Sequence, residues 1–585
     1  MKKSKILASV GVVTAAALTL VACGKSNNNA TDETKTASKF PKETPVKTTK
    51  KGGNVKIAML SASPFTGIFS PELYTVSSDS DAMAPGVEDL FDINDTYKIN
   101  NNGPATFKLD RKAKTITIEV KEGVKWSDGK QVVAKDIEYP YEIIANKATK
   151  SQRYTSSLAN IVGLEEYHNG KSKTISGIEM PDGENGRKVV LHFKQMKPGM
   201  YNSGNGYFWE YAEPYHYLKD IPFSKLMASD KIRKNPIFFG PYKMDKIVRG
   251  QSTSWVPNKY YWRGTPKLNK ITIQTLSPES ASQALKSHKF DIIDVRASQW
   301  TQVKNTKGVN FIARIPLSYN YLGFKVGHWD AKKNKSVMDK NPKMAKPVRQ
   351  AIGYAMNIDA VDSHYTHSLF FRVPTLIPAQ FGDYFDKNAK GFPYDIKKAN
   401  SILDKAGYKK KGKWRVQPNG KPLTIYYLAM AGTSIQEPII QNYIQQWHKV
   451  GLNVKLVGGR LTETNSFYDK LQNDASGFDM FDGGWNLSTE PSPNDLYNEA
   501  APFNYTHFVT AKNNKLLAEM DSEKAFDHKY RVQKFHEWQE YMNDEAFVVP
   551  TDNFYSIKAV NSKLTGYSLK PSKNNSLYFD LGYVK

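Results

Sequence analysis

The sequence predicts an α/β fold, and three observations predict it. Apolar and polar residues alternate with strand period at residues 54–59, 115–120 and 270–273. Helical spacing appears further on, and strand-type and helix-type segments interleave along the chain. A sandwich or a helical bundle would hold one period throughout, so interleaving favours strands packed against helices.

The chain starts with Lys2, Lys3 and Lys5 before the apolar run 6–21, then Leu20-Val21-Ala22-Cys23-Gly24. A charged start, an apolar stretch and small residues before a cut describe a secretory signal over residues 1–22. The apolar run is short against the roughly 20 residues that span a bilayer. Cys23 is the only cysteine of 585 residues. Its setting resembles the lipobox of bacterial lipoproteins, which implies a lipid on its thiol and a protein held at the outer face of the cytoplasmic membrane of a Gram-positive cell. An uncleaved anchor helix is the alternative. No intrachain disulfide is available to the rest of the chain, whose length allows a large core without one.

Residues 25–52 are rich in Asn, Thr, Lys, Ser, Glu and Pro. Such a composition buries too little to repay ordering, so residues 23–52 read as a lipidated flexible tether. The folded body is expected from residue 53. Strands follow at 54–59, 115–120 and 270–273. Pro347 opens a helix that places Val348, Ile352, Ala355 and Met356 on one face. Ile440, Tyr443, Ile444 and Trp447 mark a second helix, and Gly451 ends it before a strand at 453–456.

The net charge is +25, and loss of the three signal lysines lowers it only by three. The lysines are scattered among acids and aromatics, with no arginine-rich helix and no zinc spacing, which argues against nucleic acid. His364 and His367 lack the glutamate of a metalloprotease helix. There is no Gly-x-Ser-x-Gly elbow and no phosphate-binding loop. No cofactor, no metal and no enzyme activity are therefore expected, with a surface hydrolase or adhesin as the distant alternative.

Several local sequences resemble extracytoplasmic solute-binding proteins of the family that serves peptide ABC importers. They are Val120 to Gly129 with Trp126-Ser127-Asp128-Gly129, then Ala134-Lys135-Asp136, Gly240-Pro241-Tyr242, Asn258 to Trp262, Val348-Arg349-Gln350-Ala351-Ile352 and Leu403 to Tyr408. Pro181-Asp182-Gly183-Glu184-Asn185-Gly186 and Ser203-Gly204-Asn205-Gly206 are closest to the oligopeptide-binding lipoproteins of lactic-acid bacteria. The resemblance implies two hinged α/β lobes, a type II binding-protein fold of the enlarged peptide-binding class. Residues 53–70, 200–300 and 550–585 would form the core of the first lobe, 71–199 an extra subdomain on it, and 301–549 the second lobe. It further implies a monomeric receptor that captures oligopeptides and hands them to a permease driven by separate ATPase subunits. A receptor for one narrow ligand, such as a pheromone peptide, a dipeptide or a nickel chelate, is the second reading.

By the same resemblance, the segment from Phe478 to Pro491 lines the cleft and supplies a carboxylate for the peptide amine. Asp482 is the first choice, with Gly483 and Gly484 allowing close backbone approach and Trp485 and Asn486 beside it. A desolvated ammonium needs such a partner. The alternative for Asp482 is a solvated turn residue, and Asp479 and Glu490 are the substitutes. Tyr319, Asn320 and Tyr321 follow an expected interlobe crossing at Ile315-Pro316, and one face of that strand should touch ligand while the other packs in the core. Most of the other matches read as folding devices: a turn at Trp126 to Gly129, a corner at Gly240 to Tyr242, and a structural role for Arg349.

Overall fold

Two mixed sheets organise the chain in the computed structural model, which describes residues 40–61 and 63–585. The signal sequence and Cys23 lie outside the described residues. The first sheet has seven strands in the order Val309–Arg314, Ser556–Asn561, Ile292–Val295, Asn54–Leu60, Lys270–Leu276, Ser252–Pro257 and Tyr242–Val248. The second has five, in the order Asn453–Leu456, Thr424–Leu428, Met480–Asn486, Ser318–Phe324 and Val548–Pro550. Each sheet centres on parallel pairs, Asn54–Leu60 with Lys270–Leu276 and Thr424–Leu428 with Met480–Asn486. Helices cover them, as parallel pairing requires.

The expected elements form where the periodicity places them. The run 270–273 extends into the full strand Lys270–Leu276, and Pro347 sits in the first turn of the helix Lys346–Ala355. Helix Gln436–Lys449 buries Ile440, Tyr443, Ile444 and Trp447, and Gly451 turns the chain at φ +82° before Asn453–Leu456. The matched motifs act as folding devices. Trp126 is buried and its indole donates to Asp136 at 2.9 Å, while Gly129 closes the turn at φ +94°. A Cβ on Gly240 would strike the carbonyl of Gly86.

A four-stranded sheet of Ala105–Asp110, Thr115–Val120, Lys188–His192 and Ile178–Glu179 makes the extra subdomain. Its apolar core also takes in Met200, Phe208, Ala212 and Phe239, so the packed unit extends past residue 199. The junction between lobes also differs from the expected 300/301. Val309–Arg314 pairs with Ser556–Asn561 in the first sheet, so the chain leaves the first lobe only at Ile315-Pro316. It returns between Pro550 and Ser556.

The two crossings lie side by side and are locked by one fully buried asparagine. Asn553 donates to the carbonyls of Ser318 at 2.6 Å and Pro316 at 3.3 Å, and accepts from the Ser318 hydroxyl at 3.1 Å. The Thr551 amide donates to the Asn320 carbonyl at 3.0 Å.

The tether expectation fails from residue 40 onward. Phe40 packs edge-on against Trp300 and Tyr555, with centroids 5.6 and 5.2 Å away. Pro41, Lys42 and Thr44 exchange backbone hydrogen bonds with Ala313, Leu569 and Tyr567, and Thr49–Lys50 pairs with Gly582–Val584. A polar segment can hold such a place because its backbone, and not its side chains, makes most of the contacts.

Arg349 is buried, and its guanidinium serves backbone carbonyls: Met344 at 2.7 Å, Glu545 at 2.6 Å and Ala546 at 3.1 Å. It thereby closes the end of helix His528–Glu545, where Ala546 turns at φ +51°. Removing the donors would leave buried carbonyls unpaired. Arg349→Met should destabilise the chain by roughly 3 kcal/mol in urea unfolding; a change within error would remove Arg349 from the framework.

Candidate ligand-binding cleft

The site is built on one strand pair. Ser318–Phe324 runs antiparallel to Met480–Asn486, with Leu322 opposite Asp482, Asn320 opposite Gly484, Tyr321 opposite Gly483 and Tyr319 opposite Trp485. Successive side chains on a strand point to opposite faces. Asn320, Leu322, Asp482 and Asn486 therefore share one face, and Tyr319, Tyr321, Phe481 and Trp485 the other.

The first face walls a cavity of about 450 Å³. Helices Ile358–Thr366 and Gln436–Lys449 supply further walls, and Ser318, Thr551 and Phe554 place it beside the crossings. Asp482, Gly484 and Asn486 line it, as does Asn320. The Asp482 carboxylate accepts the Met430 amide at 3.0 Å, and burial pushes its pKa up to about 7 against that bond.

The second face is core. Tyr319 is 2% exposed and its hydroxyl meets that of Tyr497 at 3.0 Å. Tyr321 packs edge-on against Phe481 with centroids 6.1 Å apart. Tyr319 belongs to the core, whereas Asn320 and Tyr321 both line the cavity, together with Gly483 and Trp485. Gly483 and Gly484 are small for another reason than ligand approach: a Cβ on Gly483 would lie 2.8 Å from the Tyr321 ring, and one on Gly484 2.6 Å from Asn320 Oδ1. Trp485 stacks on Tyr505 and meets Phe503 edge-on, with centroids at 6.1 and 5.4 Å.

The two substitutes for Asp482 part ways. Asp479 accepts from the Tyr426 amide at 2.8 Å and from Lys343 Nζ at 2.7 Å, so it anchors a strand edge. Glu490 is paired with Arg531 and receives the Ser492 amide at 3.1 Å. It lies at the interlobe contact, where Gly199 faces its carboxylate too closely to carry a Cβ. Beside it, Asn202 Nδ2 donates to the Thr489 carbonyl at 2.9 Å and Thr489 donates to Ser203. Arg111 pairs with Glu523 and covers Phe526 at 3.9 Å. The lobes are in contact, and cavities of about 620 and 570 Å³ flank that contact, the first lined by Tyr207, Glu490 and Asp521, the second by Tyr201, Gln380 and Arg531.

Asp362 and Asp552 also line the 450 Å³ cavity and were not among the expected site residues. Asp362 sits on an amphipathic helix whose sequence gives no sign of which acid turns inward. Asp552 follows the sheet strand Val548–Pro550 by two residues, at the second crossing, a position only the topology reveals. Among the described residues, no three His, Cys, Asp or Glu side chains converge as a metal site would need.

Residues 104–507 match the model of the bacterial extracellular solute-binding proteins, family 5. The chain belongs to this family. Among its family 5 relatives, the oligopeptide-binding protein OppA of Lactococcus lactis subsp. lactis strain IL1403 is 42% identical over 593 aligned positions, covering 97% of this chain and 96% of that protein. A solved lactococcal OppA, complexed with an endogenous peptide in the closed conformation, superposes with a TM-score of 0.77 at 41% identity, covering 91% of this chain and all of that one. AppA of Bacillus subtilis in complex with a nonapeptide shares the fold at 20% identity and a TM-score of 0.67, over 92% of this chain and all of that one. The two-lobed architecture is thus that of the family 5 binding proteins.

Asp482 has a pH signature of its own. Its folded pKa lies above the ordinary carboxylate value, so its contribution to stability is full at low pH and is lost as pH rises through about 7. Asp482→Asn can keep the Met430 bond without the charge. It should raise the melting temperature of the ligand-free protein at pH 8 and leave it nearly unchanged at pH 4 by calorimetry. An equal shift at both values would contradict the burial of this carboxylate.

Proposed function

We propose that the protein is the substrate-binding component of an ABC importer and captures oligopeptides between its two lobes. The observation that carries the reading is the 42% identity with lactococcal OppA over nearly all of both chains. The lobe contact at Asn202 and Thr489 and the open cavities on both sides of it support it. In the full reading, acylated Cys23 holds a monomeric receptor on the outer face of the membrane. The closed form presents the peptide to a permease, and separate ATPase subunits drive transport.

The physical scheme needs no side-chain consensus in the ligand. An extended peptide satisfies its backbone as an added strand would, while water fills roomy side-chain spaces. Lobe closure then favours whichever ligand fits the closed gap, by hinge motion at the paired crossings. Asp482 is the carboxylate we assign to the peptide's α-ammonium, because it is half-buried at the cavity wall and holds only one amide.

The full chain, purified in mild detergent and analysed by native mass spectrometry, should carry a heterogeneous set of peptides. A single defined mass would favour a narrow receptor, and an empty protein that ignores a mixed peptide pool would contradict peptide capture. Asp482→Asn should weaken free-amine peptides about tenfold, roughly 1.4 kcal/mol, in titration calorimetry and leave N-acetylated ones unchanged. Equal loss for both would remove Asp482 from amine pairing.

A further inference from the structure

The 450 Å³ cavity is anionic in a way that the chain as a whole is not. Asp362, Asp482 and Asp552 line it, and no lysine, arginine or histidine does, in a protein of net charge +25. Asp362 is 5% exposed, and its Oδ2 has no hydrogen-bond partner among the described residues. A buried carboxylate oxygen left bare is costly.

The neighbours do not relieve it. Asp552 accepts from Asn320 Nδ2 at 2.7 Å and from the Thr551 side chain, both neutral donors that leave its charge uncompensated. Arg372 stands opposite Asp552 in strand register, yet its guanidinium lies 3.5 Å from Asp359 and 3.3 Å from the Lys390 carbonyl. Burial raises the pKa of both Asp362 and Asp552, and the charges of Asp552 and Asp359 raise that of Asp362 further. The rest of the wall is apolar or aromatic, with Met356, Ile439, Ile440 and Tyr443 among it. Such a wall suits an alkyl stem that ends in a positive charge.

We propose that Asp362 and Asp552 form a seat for a cationic group of the bound peptide, an alkylammonium or guanidinium, separate from the Asp482 contact. The proposal rests on the peptide reading above and deepens it: this receptor selects for positive charge at a defined place in its ligand. A basic side chain fills the seat with its methylenes along Ile439 and Ile440 and its charge between the two carboxylates. The peptide's own α-ammonium is the other source of the same chemistry.

The test uses the full chain in mild detergent and a series of alanine hexapeptides, each with one lysine or one norleucine at a given position. Lysine should bind at least about tenfold tighter than norleucine at one position, equivalent to roughly 1.4 kcal/mol. Asp362→Asn should bring that ratio to within about twofold and leave the norleucine peptides unchanged. If that variant does not fold, Asp552→Asn reads the same ratio. Should the preference be absent but N-acetylation weaken binding in the wild type and not in Asp362→Asn, the seat holds the α-ammonium. Norleucine and lysine peptides binding equally at every position, with acetylation indifferent to Asp362, would overturn the seat alone. No binding of any hexapeptide or longer peptide would overturn the peptide reading with it.

Discussion

The antiparallel pairing of Ser318–Phe324 with Met480–Asn486 is the constraint on which the site depends. Its register decides which residues meet ligand space and which meet the core, because a shift of one residue would exchange the faces. Two glycines make the register possible: the Tyr321 ring lies over Gly483 and the Asn320 side chain over Gly484. The same register aims Asp482 at the cavity and sends Tyr319 to Tyr497. A cavity wall and part of the core beneath the second sheet are thus the two sides of one ribbon.

That ribbon is continuous with the hinge. Ser318 begins the strand and is bonded to Asn553, so the place where the lobes join is also the margin of the cavity. The crossings border one side of the cavity, and helices Ile358–Thr366 and Gln436–Lys449 wall another. Across the gap, the loop at Asn202 and Ser203 meets Thr489, close to the Glu490–Arg531 pair. The ion pair ties Glu490 to Arg531 where their side chains line the cavities on either side of the contact.

Much of this was legible in the residues. Period-two alternation at 115–120 and helical spacing from Ile440 to Trp447 report burial directly, and both elements form as spaced. The crossing at Ile315-Pro316 was also legible, through resemblance. That the residues just before it stay with the first sheet was not: Val309–Arg314 has the composition of any half-buried strand, and its sheet is decided by a partner about 250 positions away. The ordered segment from Phe40 was missed because composition registers side chains, and here backbone pairing with the C-terminal strand does the holding. Asp362 and Asp552 were invisible for a similar reason, since a buried acid and a solvated one are the same letter. Tyr319 looked like a cleft residue because amphipathic aromatics suit both a cleft and a core, and the structure packs it in the core.

On the proposed function, a peptide lies between the lobes against the carboxylate wall of the second. A crystal structure of the full chain with its co-purified peptides tests this most directly. The prediction is extended peptide density between the Asn202 and Thr489 loops and the Asp482 strand, with a positively charged group within hydrogen-bond reach of Asp482, Asp362 or Asp552. Peptide density confined to another surface, with only water along that wall, would contradict it.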